Sequence, residues 1–103
     1  MIMGKRITLV CSAGMSTSLL VSKMKAAAAA QGLDAAIKAV AESSFSSGAD
    51  KETDILLLGP QIGYRLRALK EMYEPQGMKV AVINVMDYGM MNGEKVLKDA
   101  LKL

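Results

Sequence analysis

RITLVCSAGMSTSLL, residues 6–20, contains the change of residue period on which the fold depends. Arg6 to Val10 is a short apolar run rich in β-branched residues, the pattern of a strand buried in a parallel sheet. Cys11 to Ser16 follows as a turn of small residues. From Ser16 the pattern becomes helical. Thr17 and Ser18 supply capping oxygens, and Leu19, Leu20, Lys23, Met24 and the run Ala26 to Ala30 favour a helix that closes near Gly32.

Working outward, residues 35–41 (AAIKAVA) alternate weakly. Alanine has little β preference, so an extension of the helix is the other choice, but Gly32 intervenes and favours a second strand. Residues 42–52 are rich in Ser, Gly and charge without an apolar period, which predicts a solvated loop with room for a short helical turn. DILLL (residues 54–58) is a third, continuously apolar strand broken by Gly59 and Pro60. Ile62, Leu66, Leu69 and Met72 or Tyr73 recur at helical spacing, and Pro75 and Gly77 close that helix. MKVAVI (residues 78–83) is the last strand, residues 84–93 a loop, and residues 94–101 the last helix.

This alternation predicts one α/β domain over residues 1–103: an open four-stranded parallel sheet in the order 2-1-3-4, with right-handed crossovers and helices on both faces. Sites in such sheets form beyond the carboxyl ends of the strands, where the strand order reverses. Three segments qualify, Cys11 to Ser16, Gly59 to Gly63 and Asn84 to Gly93.

Composition removes several function classes. Thirteen Lys and Arg are interleaved with ten acidic residues for a net charge of +3, with no basic block or aromatic interleaving, so nucleic acid is not indicated. No apolar run is long enough to cross a bilayer, and no charged start leads into a signal-peptide core, so a cytoplasmic protein is expected. A single cysteine forms no intramolecular disulfide and suits a reducing compartment. The absence of histidine excludes Ser-His-Asp and Cys-His nucleophile pairs and most zinc sites with a histidine ligand. No metal or organic cofactor is called for.

Cys11 sits between the first strand and the first helix. A helix N-terminus presents unpaired N–H groups and a positive dipole end, which bind phosphate and favour a thiolate. Position alone leaves a second reading open, a small packed hydrophobe at a strand end. A third is a phosphatase loop, C-x5-R, in which a guanidinium fork grips the phosphoryl oxygens. Thr17 occupies the arginine position, so the strongest contact of that loop is missing, although Ser18 matches the pattern.

ITLVCSAGMSTSLLVSKM (residues 7–24) resembles the phosphorylation-site segment of the lactose/cellobiose (N,N'-diacetylchitobiose) type IIB proteins of the bacterial sugar phosphotransferase system. LLLGPQIGY (residues 56–64) resembles that family's third-strand segment, and YGMMNGEKVL (residues 88–97) its last loop and helix start. The resemblance implies a flavodoxin-like, low-molecular-weight-phosphatase-like sheet and a phosphocysteine at Cys11. It further implies a phosphohistidine donor on a IIA protein and a membrane IIC permease as acceptor complex, with the sugar, a β-linked disaccharide, chosen by IIC. A monomer suits a carrier that must expose one loop to two partners.

The backbone of Ser12, Ala13, Gly14, Met15, Ser16, Thr17 and Ser18 is the expected phosphate cradle, with Gly14 permitting close approach. Pro60, Gln61, Asp87 and Tyr88 are candidates for a site wall or a partner contact, an ordinary turn being the plainer reading of each. Met15, Met86, Met90 and Met91 are candidates for an adaptable docking surface, while most methionines read as core filler. Arg65, Arg67 and Lys70 read as a solvated helix face. The competing functions are a phosphatase-like hydrolase and a non-catalytic regulatory domain with an inert cysteine.

Overall fold

The computed structural model describes residues 5–11, 15–42 and 53–103. β1 (Lys5–Cys11), β2 (Ala35–Ala41), β3 (Ile55–Leu58) and β4 (Lys79–Val82) form one parallel sheet in the order β2-β1-β3-β4. The expected 2-1-3-4 order is therefore present. β1 and β3 are buried over most of their length, which is why they read as continuous apolar runs rather than as alternating ones.

Successive side chains of each strand enter opposite layers. Ile7 and Leu9 of β1 and Ile55 and Leu57 of β3 pack with Leu20, Val21, Met24 and Ala28 of α1 (Met15–Ala30) and with Val96, Leu97 and Ala100 of α4 (Gly93–Leu101). Val10, Leu56 and Leu58 face the other way, onto Ile62 and onto Leu69 and Tyr73 of α2 (Leu66–Tyr73). Helices thus cover both faces. Burying an Ile or Leu side chain contributes roughly 1.5–3 kcal/mol, so these two layers dominate the stability of the sheet. The buried hydroxyls of Thr8 and Thr53 satisfy each other at 2.8 Å within the α2 layer.

α1 hides its amphipathic character. Thr17, Leu20, Val21, Met24 and Ala28 are buried at helical spacing, but the alanines on its outer face make the sequence look apolar all round. Two segments depart from expectation. The chain after β3 runs as a 3-10 turn over Pro60–Arg65, with Ile62 off helical geometry at φ −116° and ψ 25°, and becomes α-helical only at Leu66. The expected loop over residues 84–93 contains a short helix, α3 (Val85–Gly89), which Asn84 caps by accepting from the N–H groups of Met86 (2.8 Å) and Asp87 (3.2 Å). No helix among the described residues is long and apolar enough to cross a membrane.

Asp54, just before β3, ties that strand to the start of β1. Its carboxylate accepts from the Arg6 backbone N–H at 2.8 Å and from Arg6 Nε at 3.3 Å. The Arg6 side chain, followed by its backbone N–H, holds the Asp54 carboxyl below the usual carboxylate range. A lowered folded-state pKa contributes stability above the ordinary range near ~3.9 and loses it as pH falls through the folded value. The pair is largely exposed, so the contribution is below about 1 kcal/mol. In urea unfolding, Asp54→Asn is expected to be less stable than wild type by a few tenths of a kcal/mol at neutral pH, with the gap closing in acid. A gap that persists unchanged in acid would show that charge is not its origin.

Candidate functional site

Cys11 is the last residue of β1 and pairs in register with Ala41, the last residue of β2. Because Ile7 and Leu9 face the α1 layer, strand alternation turns Cys11 to the same side, toward the first turns of α1. Its Sγ there shares a hydrogen bond of 3.0 Å with Thr17 Oγ1. Both residues are enclosed, Cys11 at 3% exposure and Thr17 at 0%. Thr17, noted in the sequence mainly as the residue standing where a phosphatase has arginine, is thus the polar neighbour of the thiol. Ser18, one residue on, is exposed.

The rest of the expected cradle is only partly within view. Ser12, Ala13 and Gly14 lie outside the described residues, as do the side chains of Met15 and Ser16, whose backbone forms the start of α1.

On the β3 side, the Gly59 amide donates to the Val10 carbonyl at 2.8 Å and carries the chain past the end of β1. A Cβ on Gly59 would lie 3.2 Å from Cys11 Cβ and 2.8 Å from Gln61 Oε1. The Gln61 amide and Cys11 therefore border the same small space, which only a glycine leaves open. Pro60, between them in sequence, is half-buried and starts the 3-10 turn. Gly59→Ala is expected to fold, because the closest obstacle is the movable end of Gln61, yet to slow chemistry at Cys11 about tenfold or more by crowding the thiol. An unchanged rate of reaction at Cys11 would remove this wall from the site.

The third candidate segment follows β4. Tyr88 is 7% exposed and packs in the α1–α4 core layer. Asp87 faces Lys95 of α4 at 3.4 Å, and Lys95 also bonds Asp99 at 3.0 Å. Asp99 first and Asp87 second raise the Lys95 pKa above its ordinary value. Beside them lies a cleft of about 270 Å³ lined by Leu57, Ile83, Asn84 and Val96 among others. Of the methionines singled out in the sequence, Met86 and Met90 are exposed, whereas Met91 packs against the core.

Arg65 departs from the solvated-face reading. Its Nε lies 2.6 Å from Glu42 Oε2, at the end of β2, in an electrostatic contact whose N–H is not aligned as a hydrogen bond. Arg67 does follow that reading, at 92% exposure beside Glu71. Neither residue of the 42–65 pair stands out in the sequence. The available signal is the strand order itself, which brings the ends of β2 and β3 to the same end of the sheet.

A parallel sheet in this order, with a lone cysteine where the first strand meets the first helix and a hydroxyl on its sulfur, defines a thiol site of the kind found at the carboxyl end of open α/β sheets. Residues 6–99 match the family described as "PTS system, Lactose/Cellobiose specific IIB subunit", and the chain belongs to that family. It is 44% identical over 103 residues to the galactose-specific EIIB component of Lactococcus lactis subsp. cremoris (strain MG1363), covering 96% of this chain and 95% of that protein. It is equally 44% identical to the cellobiose-specific EIIB component of Lactococcus lactis subsp. lactis (strain IL1403), with the same coverage. The solution structure of a cellobiose-specific IIB component from Borrelia burgdorferi superposes with a TM-score of 0.75 at 42% identity, covering 97% of this chain and 91% of that one.

Proposed function

We propose that this chain is a phosphocarrier whose Cys11 takes a phosphoryl group from a phosphohistidine on a IIA partner and passes it to a sugar held by a membrane IIC permease. The first step forms an S–P bond as the N–P bond breaks, the imidazole of the donor leaving with the electron pair. In the second, a sugar hydroxyl attacks phosphorus, the S–P bond breaks with its electron pair going to sulfur, and the proton lost by the hydroxyl restores the thiol. The observation that carries the reading is the placement of the only cysteine at the end of β1, with Thr17 Oγ1 at 3.0 Å from its sulfur.

The roles of the surrounding groups follow from charge. Thr17 Oγ1–H donates to the thiolate, which is nucleophile in one step and leaving group in the other. Backbone amides of Ser12 to Thr17 and the hydroxyls of Ser12, Ser16 and Ser18 stabilise charge on the transferring group at the start of α1. With no histidine in the chain, the imidazole comes from the donor protein. The site then works at the cytoplasmic face of the membrane, docking on each partner in turn.

The sugar is of the lactose/cellobiose type and is selected by IIC. Relatives named for galactose and for cellobiose are equally similar to this chain, which fits a carrier that does not itself choose the acceptor. The test is to incubate the protein with a histidine-phosphorylated IIA protein and locate the phosphoryl group by peptide mass spectrometry. Modification on Cys11, discharged by IIC and sugar, is expected. Modification elsewhere, or none, overturns the reading.

A further inference from the structure

β2 and β3 each pair with β1 and not with one another, so two strand spacings of about 4.8 Å separate them. Glu42 directly follows Ala41, the register partner of Cys11. Arg65 closes the turn that starts beyond Gly59, the residue bonded to the Val10 carbonyl. Their contact at 2.6 Å therefore reaches from one neighbour of β1 to the other, across the strand end that carries Cys11. Both side chains are only partly exposed, Arg65 at 36% and Glu42 at 25%, and Arg65 Nε is enclosed. The turn it holds is interrupted at Ile62, so an attachment from outside adds to what its own hydrogen bonds supply.

We propose that Glu42 and Arg65 form a clasp that sets the Gly59–Gln61 turn against Cys11, which makes both of them positioning residues for phosphoryl transfer. The proposal rests on the phosphocarrier reading. Glu42 anchors the clasp to the strand paired with Cys11, and Arg65 carries that position to the turn whose Gly59 and Gln61 border the thiol. Loss of the clasp leaves the strands in place, because their buried layers are untouched, but lets the turn drift. A displacement of about 1 Å at a reacting centre costs up to roughly a hundredfold in rate. An ion pair at this exposure adds little to folding. A purely structural pair would show the reverse, a change in melting without one in transfer.

The experiment compares Glu42→Arg and Arg65→Glu singly and together, with Arg65→Gln as a milder single variant. Three readouts are taken: transfer from a histidine-phosphorylated IIA protein, thermal melting, and the amide signals of Gly59 and Gln61 in the unphosphorylated protein. Each single variant is expected to transfer about tenfold or more slowly and to shift both amides, with little change in melting. The double variant, which restores the pair with its charges exchanged, is expected to recover rate and signals. Single variants that transfer at the wild-type rate overturn the clasp. So does a double variant as slow as the singles, which would place Arg65 on the phosphoryl group itself. If wild type accepts no phosphoryl group, the carrier reading falls and the amides alone decide: shifted in the singles and restored in the double they support the clasp, and unmoved they overturn it.

Discussion

Cys11→Ser is expected to leave the fold intact and to reduce phosphoryl transfer to background, a loss on the order of a thousandfold or more, as for removal of other enzymatic nucleophiles. The fold survives because the replacement is slightly smaller and its hydroxyl inherits the Thr17 Oγ1 partner, so no polar group is orphaned in a position only 3% exposed. Chemistry does not survive. An alcohol needs a general base to become a nucleophile at neutral pH, and the chain contains no histidine to serve as one. Circular dichroism before and after substitution checks the first half, and label transfer from phosphorylated IIA checks the second. Sustained transfer by the serine variant would move the acceptor away from Cys11.

The same geometry separates a carrier from a hydrolase of similar shape. In the C-x5-R loop a guanidinium reaches the phosphoryl oxygens, and here the corresponding residue, Thr17, is fully enclosed with its hydroxyl on the sulfur. An arginine does not fit that volume without moving α1 off the sheet. Placing one there therefore tests folding before it tests hydrolysis. On the proposed phosphocarrier reading this arrangement is an advantage, since a phosphocysteine would have to survive between partners without a clamp or a base that would activate water.

Much of the fold was legible because buried parallel strands announce themselves: RITLV and DILLL are unbroken apolar runs, and Gly59, Pro60, Pro75 and Gly77 punctuate the chain where elements end. The position of Cys11 at the end of β1 was legible for the same reason, since it stands where the first period stops and the second begins. α3 was not, because five residues give no periodicity. It forms through the Asn84 cap and the docking of Tyr88 into the core, and that docking is why Tyr88, a residue that looked like a site wall, is buried. The Glu42–Arg65 contact was invisible because it joins residues far apart in the chain, and residues 43–52 between them lie outside the described residues. Thr17 was read as a cap, as part of the phosphate cradle and as the residue in the arginine position, but not as the partner of the thiol, since nothing local says that a hydroxyl six residues after a cysteine returns to its sulfur.

Stability, by contrast with chemistry, is expected to respond at Gly93, the first residue of α4. A Cβ there would lie 2.6 Å from Lys23 C, Lys23 Cβ and Met24 N of α1, two of them backbone atoms that cannot rotate aside. Gly59 differs in kind, since its nearest obstacle is a side-chain end. Alanine also carries a helix propensity advantage over glycine of up to about 1 kcal/mol, which acts in the opposite direction. Overpacking typically costs about 1–3 kcal/mol, and here relief requires α4 to move off α1, loosening Val96, Leu97 and Ala100 against Leu20 and Met24. The cost should win. Gly93→Ala is expected to lower the melting temperature by several degrees, at roughly 4–8 °C per kcal/mol for a domain of this size, and Gly93→Val by more. Transfer at Cys11 should be unchanged well below the melting transition, because neither residue of the Cys11–Thr17 pair borders Gly93. A variant that melts with or above wild type would mean that α1 and α4 do not approach each other this closely at Gly93, and that Lys23 and Met24 leave room there for a methyl group.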